Sequence, residues 1–350
     1  MKILITGIAG LLGSNLAKWI IANTDHEVVG LDDLSCGLEA NIPRDLHWHR
    51  KQLGHDVCER IFEDERPDVV YHFAAYAAEC LSPFIRTYNY RNNLVATAEV
   101  VNACINHRVE RIVFTSSMAV YGDGDPPFEE TDWCRPIDPY GNAKLACERD
   151  IQIAGQQHGL PWTIIRPHNV YGPGQVITQQ YRNVFGIWMW RHLHGESMRI
   201  YGDGSQQRAF SYIGDILQPL YLAGTKPDAS RQVINLGGSR PVTINQAAHA
   251  LADVMGDSPA IEYCQPRHEV HQAWCTTDKS ERLLGYRDAT SLEDGLHAMW
   301  DWARRTDQQC APTPPIEVED GMPSYWVNAA SRTPGNGRRP EYHPTSPGPR

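Results

Sequence analysis

Two hydrophobic periods take turns along the first part of the chain. Short β-branched runs at Lys2 to Thr6, Glu27 to Leu31, Val69 to Phe73 and Arg111 to Thr115 are separated by segments of helix length. Strands alternating with helices predict a parallel sheet whose connections are crossover helices. A long helix is expected over Pro83 to His107, where Leu94, Val95, Ala98, Val101, Ala103 and Ile105 cover more than one face. Such a helix needs an apolar neighbour on its second side, either another element or another subunit. A second helix is expected over Pro139 to His158. It leads into a strand at Trp162 to Arg166 and a Gly/Pro-rich loop at Pro167 to Gln175.

Beyond that loop the alternation weakens. The tryptophan-rich run Tyr181 to His194 predicts a helix in the core of a second lobe, and Val233 to Leu236 predicts a strand returning to the first. The expected class is α/β, a doubly wound parallel sheet with a smaller, interleaved C-terminal domain. Nine of the last forty residues are proline and periodicity vanishes there, which predicts a tail that is extended, docked or disordered.

Charge narrows the function classes. With 32 Lys+Arg against 42 Asp+Glu the net charge is −10, which removes the electrostatic case for duplex nucleic acid or an anionic membrane surface. No apolar stretch approaches the ~18 residues of a spanning helix, and Met1-Lys2 opens straight into a strand-like run, so a cytoplasmic protein without signal peptide is expected. The nine cysteines are odd in number and lack a Cys-x-x-Cys pair, which predicts reduced thiols. His47/His49 and His192/His194 have no carboxylate or cysteine beside them at ligand spacing, and no metal is expected.

Directly after the first strand stands Gly7-Ile8-Ala9-Gly10-Leu11-Leu12-Gly13, opening a helix. Glycines at these places allow a tight turn, close approach of backbone to a pyrophosphate and close helix-to-strand packing, with the phosphates at the helix N-terminus. Asp32 follows at the end of the second strand, where a carboxylate bonds both ribose hydroxyls and repels a 2′-phosphate. The sheet is thus expected to be Rossmann-type and its cofactor NAD rather than NADP.

With these motifs the sequence resembles the extended short-chain dehydrogenase/reductase family, in particular its nucleotide-sugar epimerases and dehydratases. The likeness covers roughly residues 1 to 305, through Leu31-Asp32-Asp33-Leu34-Ser35-x-Gly37, Asp56-Val57, His72-Phe73-Ala74-Ala75 and Asn92-Asn93 in family order. It implies that Asp56 and Val57 flank the adenine, that Phe73, Ala74 and Ala75 lie along the cofactor, and that Asn93 makes a cofactor-side contact. The domains expected are an NAD-binding domain over 1–175 with a return segment at about 205–240, a substrate-binding domain from 176–204 and 241–310, and a tail over 311–350. A homodimer is implied, paired through the helices around Pro83 to His107 and Pro139 to His158.

Tyr140 and Lys144 are spaced four apart and so face one side of a helix. A phenol with a pKa near ~10 is no base at neutral pH, but a neighbouring ammonium and an oxidised nicotinamide favour the phenolate. In the resembled family the hydroxyl residue three before Val-Tyr-Gly joins this pair, and here that residue is Ser117, with Ser116 as the alternative. The resemblance further implies substrate contacts at Ser82, Ser117, Tyr140, Asn169, Arg208 and Arg267, the last two as forks for a diphosphate. At the turn after Ser117 the related dehydratases carry an Asp-Glu pair, whereas this chain has Met118-Ala119, which moves no proton. The reading is therefore 4-epimerisation of a nucleotide-diphosphate sugar. The alternatives are a dehydratase or decarboxylase drawing on Glu79 or Cys80, and a non-catalytic NAD-binding scaffold. Trp274 or Cys275 is expected to gate the sugar pocket, and the sugar and base stay open.

Overall fold

The computed structural model describes residues 1–256, 259–308, 313–323 and 326. Its centre is built from β1 (Lys2–Thr6), β2 (Glu27–Asp32), β3 (His47–Arg50), β4 (Val69–His72), β5 (Arg111–Thr115) and β6 (Trp162–His168). Between them run α1 (Leu11–Asn23), α2 (His55–Glu65), α3 (Arg86–Tyr90), α4 (Ala96–Asn106) and α5 (Pro139–Gln157). After the short β7 (Val170–Tyr171) come α6 (Val184–Leu193), β8 (Met198–Tyr201), β9 (Gln207–Ala209), β10 (Ser211–Tyr212) and α7 (Ile213–Thr225). The strand β11 (Gln232–Gly237) then lies beside β6, completing a seven-stranded parallel sheet in the order β11-β6-β5-β4-β1-β2-β3. The order reverses at β1, between β4 and β2, and ligands of such sheets bind at that switch point.

Strand alternation divides the core. Ile3 and Ile5 face α1 and α7, packing with Leu16, Ile20, Ile216 and Leu220. Leu4 faces the opposite layer with Phe62, Val100, Phe114 and Ile151. The second lobe combines α6 and β8 with β12 (Pro241–Thr243), α8 (Ile244–Met255), β13 (Ile261–Cys264), β14 (Gln272–Ala273) and α10 (Leu292–Ala303), while α9 (Asp278–Leu284), within the segment expected for the second domain, packs back on α7 and β11 through Leu284. Its core holds Phe185, Trp188, Leu251, Met299 and Trp300. Helix α8 starts in a capping box, with the Thr243 hydroxyl accepting from the Gln246 N–H and the Gln246 side chain accepting from the Thr243 N–H.

The helix expected from Pro83 begins later. Pro83 lies inside a 3₁₀ turn over Glu79–Phe84, α3 starts at Arg86, and a π-helical stretch over Arg91–Val95 joins it to α4. A proline has no N–H to continue a helical ladder, so the chain tightens before the regular turns begin. The described part of the Pro-rich tail folds back onto this segment. The Glu317 carboxylate accepts from the N–H groups of Thr87 and Tyr88 at 2.7 and 2.9 Å, and Trp326, 2% exposed, sets its ring edge-on to Tyr181 and Phe84. Most of the tail lies outside the described residues.

Candidate active site

A cavity of about 680 Å³ opens at the carboxyl ends of the strands, between the sheet and the second lobe. Gly7, Gly10, Leu11, Leu12, Gly13 and Asp32 form one end of its lining, followed by Phe73, Ala74 and Ala75. A Cβ on Gly7 would stand 2.7 Å from the Ala74 nitrogen, and one on Gly13 would stand 2.2 Å from the Gly7 carbonyl oxygen. Backbone passes where side chains cannot. Gly10 caps α1 without a side-chain bond, leaving the N–H groups of its first turn directed at an anion. Asp32 accepts from the N–H of Ala9 at 2.9 Å and of Leu34 at 2.8 Å, which fixes its carboxylate at the mouth of this cradle. The loop, the free helix end and the placed carboxylate together fit a dinucleotide.

Four expected contact residues lie elsewhere. Asp56 is exposed in the first turn of α2 and neither it nor Val57 reaches the cavity; Lys51 to Gly54, just past β3, line it instead. The signal that would have found Gln52 and Leu53 is their place immediately beyond the strand, at the ligand-binding edge. Asn93 is 1% exposed and its amide serves the Tyr76 backbone, accepting from Tyr76 N and donating to Tyr76 O, while Asn92 takes the place on the lining. Ser82 is fully buried. Its hydroxyl donates to Glu79 O at 2.7 Å, lies 3.2 Å from Asp138 Oδ1 and accepts from the Tyr140 N–H, so it braces the wall from behind and is not part of the cavity lining.

Helix α5 carries the reactive pair for local reasons. Asp138 is its N-cap, accepting from the N–H of Tyr140 at 2.8 Å and of Gly141 at 3.0 Å, and Pro139 occupies the first helical position. Tyr140 and Lys144 therefore sit in the first two turns and both line the cavity, with Ser116 and Ser117 arriving from the end of β5. Ser117 Oγ accepts from the Ala119 N–H at 3.1 Å and is close enough to the Tyr140 phenol to lower its pKa. Lys144 Nζ donates to Thr115 O at 2.8 Å and lies 5.9 Å from the Tyr140 ring centre.

Burial dominates the electrostatics. The Tyr140 phenol is pushed above its usual value by desolvation, with the neighbouring Ser117 hydroxyl opposing and the charges of Glu79 and Asp138 adding. Lys144 is pushed down to about 8 by the same burial. The expectation that Lys144 favours the phenolate is thus outweighed in the chain alone, because burial takes more hydration from the anion than the neighbouring ammonium returns.

At the far end stand Asn169, Arg208 and Arg267. Asn169 takes a φ of +41° and donates to Ala209 O at 3.1 Å. Glu269 lies 3.1 Å from Arg267 and 3.7 Å from Arg208, and Arg267 also stacks on Tyr201 at 4.4 Å. Between the two ends, Glu79 and Cys80 enter the lining from the turn after β4. Burial, then the charge of Asp138, pushes Glu79 up to about 7, and burial pushes Cys80 to about 11. The expected gate falls on neither candidate: Ala273 lines the cavity, while Cys275 is buried against Val120, Tyr121 and Phe128 and Trp274 pairs its carbonyl with the Phe128 N–H. His168 is fully buried behind the site with neither ring nitrogen bonded.

The fold also gathers what sequence spacing separated. His47 and His49 on the edge strand β3 both bond Glu65 Oε1, at 2.9 and 2.8 Å. The eight cysteines among the described residues are unpaired. No helix among the described residues is long and apolar enough to cross a membrane.

Residues 3–237 match the profile of the NAD dependent epimerase/dehydratase family. An uncharacterized UDP-glucose epimerase of Bacillus subtilis, YtcB, is 29% identical over 85% of this chain and 96% of its own length. The UDP-glucose 4-epimerase of Thermotoga maritima, solved with UDP-glucose, superposes with a TM-score of 0.83 at 31% identity, over 87% of this chain and 99% of that one. The UDP-glucuronic acid 4-epimerase of Bacillus cereus, solved with UDP-glucuronic acid and NAD, gives 0.80 at 28%, over 87% and 99%. Matched over more than half its length, with a glycine-lined cradle at the switch point of a parallel sheet, the chain belongs to the NAD-dependent epimerase/dehydratase family.

Proposed function

We propose that this protein epimerises a nucleotide-diphosphate hexose, a UDP-hexose first among them, at C4 through a transient 4-keto sugar. The observation that carries this reading is the set Ser117, Tyr140 and Lys144 on one cavity wall, followed at the turn by Met118 and Ala119, neither of which moves a proton. The chemistry that NAD supplies when bound is acceptance of the C4 hydride and its return. Tyr140 takes the proton from the C4 hydroxyl and later gives it back, and Ser117 holds the same oxygen by hydrogen bond. Lys144 supplies the positive potential under the phenol and a bond to the nicotinamide ribose. Asp32 takes the adenine-side ribose hydroxyls, and Gly7 to Gly13 the pyrophosphate. Asn169, Arg208 and Arg267 take the sugar diphosphate, the guanidinium forks leaving Glu269 for phosphate oxygens. With no positive charge added to the cavity Tyr140 stays protonated, so the chain alone does not start the reaction.

A second reading is favoured by one observation: Glu79 and Cys80 line the same cavity, where either could add an acid-base step. Product analysis across UDP-, GDP-, dTDP- and CDP-sugars separates the readings by mass. An epimer keeps the substrate mass, a dehydratase product loses water and a decarboxylase product loses carbon dioxide. No conversion with any of the panel would leave the scaffold reading. A homodimer is part of the proposal, and a monomer mass by light scattering at micromolar protein would remove it.

A further inference from the structure

We propose that Glu79 selects the sugar by charge, admitting hexoses uncharged at C6 and turning away uronates. The proposal rests on the nucleotide-sugar reading and narrows it. Glu79 opens the turn over Glu79–Phe84, and that turn is tied to the catalytic helix: Ser82 Oγ donates to Glu79 O at 2.7 Å and accepts the Tyr140 N–H at 3.1 Å. The main chain at Glu79, whose side chain enters the cavity lining, is therefore held relative to Tyr140. Glu79 lines one cavity with Tyr140, Arg208 and Arg267. A sugar whose reacting hydroxyl is at Tyr140 and whose anomeric phosphate is at the two arginines spans the same interval, and so passes beside Glu79.

No hydrogen bond or ion pair engages the Glu79 carboxyl among the described residues, and none of the nearby cations pairs with it. Arg208 and Arg267 face Glu269 and the diphosphate position. Arg182, also on the cavity lining, stacks on Tyr76 at 4.9 Å, donates through Nε to Gln179 and through Nη1 to Ala77 O, and keeps its buried Nη2 unpartnered among the described residues, yet it is not among the main charges acting on Glu79. Lys144 is held at Thr115. A carboxylate left in this state suits hydroxyl groups, which donate to it at no charge cost. It opposes a second carboxylate, which brings a like charge and no proton to share.

The test is equilibrium binding of UDP-glucose and UDP-glucuronate, which differ only at C6, to the NAD-loaded protein by titration calorimetry. It is run at pH 8, above the value of about 7 at which burial and Asp138 place Glu79. The wild type is expected to bind UDP-glucose at least ~10-fold more tightly, and Glu79→Gln to bring the two within ~3-fold, since like charges at contact are strongly disfavoured. Glu79→Ala serves as a second neutral variant, and acid-released NAD with thermal unfolding reports that each variant is folded and loaded. Equal binding or preference for UDP-glucuronate in the wild type, or a ratio unchanged in both neutral variants, overturns the proposal. Selective binding of UDP-glucose without turnover would sink the epimerase reading and leave the charge selection standing. Binding of neither sugar would remove both.

Discussion

Glu148 and Arg166 form a two-pronged ion pair in the protein interior: Arg166 Nε donates to Glu148 Oε1 at 2.9 Å and Nη2 to Oε2 at 2.7 Å, with side chains 2% and 5% exposed. The pair rivets α5, two turns beyond Tyr140, to the strand β6 that leads into Asn169. Arg166 Nη1 also donates to the Tyr121 hydroxyl at 2.9 Å, which in turn donates to Asn235 Oδ1 on β11 at 2.6 Å.

Removing one partner of such a pair strands a buried charge. Glu148→Ala is expected to cost about 3–5 kcal/mol of stability, measurable by urea unfolding, whereas a solvated surface pair would cost less than about 1 kcal/mol. A midpoint unchanged from wild type would show that the pair is replaceable by water.

Tyr140→Phe removes only the phenolic oxygen. Fold and NAD content should survive while turnover falls by ~10²-fold or more, the scale of a lost general base. Lys144→Met should lose activity and also hold NAD less well. A substrate deuterated at C4 should return its deuterium to C4 of the product. Solvent deuterium appearing at C3 or C5 would mean enolisation and would rule out the proposed route.

Asp32 bonds two backbone N–H groups and so cannot swing away from a bound ribose. Protein purified from cells should release NAD and not NADP on acid treatment. Asp32→Ser should narrow the NAD-over-NADP preference by at least ~10-fold in a cofactor titration, since the like-charge penalty against a 2′-phosphate goes with the carboxylate.

His168 is lowered from the usual 6.5 to about 3 by burial. The unfolded chain takes up a proton below 6.5 while the folded one resists it until about 3, so His168 weakens the fold progressively as pH falls through that window. His72, also lowered to about 3, acts in the same direction. His168→Phe should therefore flatten the acid limb by up to ~1.4 kcal/mol per pH unit. The check is the urea midpoint between pH 6.5 and 4, where an unchanged slope would show that the imidazole titrates freely in the folded state.

Trp326 docks through Phe84 on the segment that carries Glu79 and Ser82, and through Tyr181 on the loop before α6. Trp326→Ala should release the strap and speed proteolytic clipping beyond Gln308 by ~10-fold or more, the mark of a local unit that opens without global unfolding. Clipping at the wild-type rate would show that the Glu317 contacts hold the strap alone.

The local rules of the chain were enough for the framework and for part of the site. Glycine spacing after a strand, a carboxylate at the next strand's end, and a phenol and an ammonium four apart behind Asp138-Pro139 are short-range patterns. The backbone geometry that realises them is set within a few residues. Membership of the cavity wall is different, because it depends on where chain segments cross. One turn of helix carries Asp56 and Val57 out of the cavity while Gln52 and Leu53 stay in it. Ser82 and Asn93 look in sequence like any polar residue free to meet a ligand, yet the turn after β4 faces Ser82 inward to hold Tyr140 and the π-helical stretch faces Asn93 inward to hold Tyr76. Glu65 comes from sixteen residues beyond His49 to meet both imidazoles. Glu79 meets the field of Arg208 and Arg267 only because the second lobe folds over the sheet. Proximity between distant residues is decided by packing of the two lobes, and burial then sets which protons Tyr140, Lys144 and Glu79 hold.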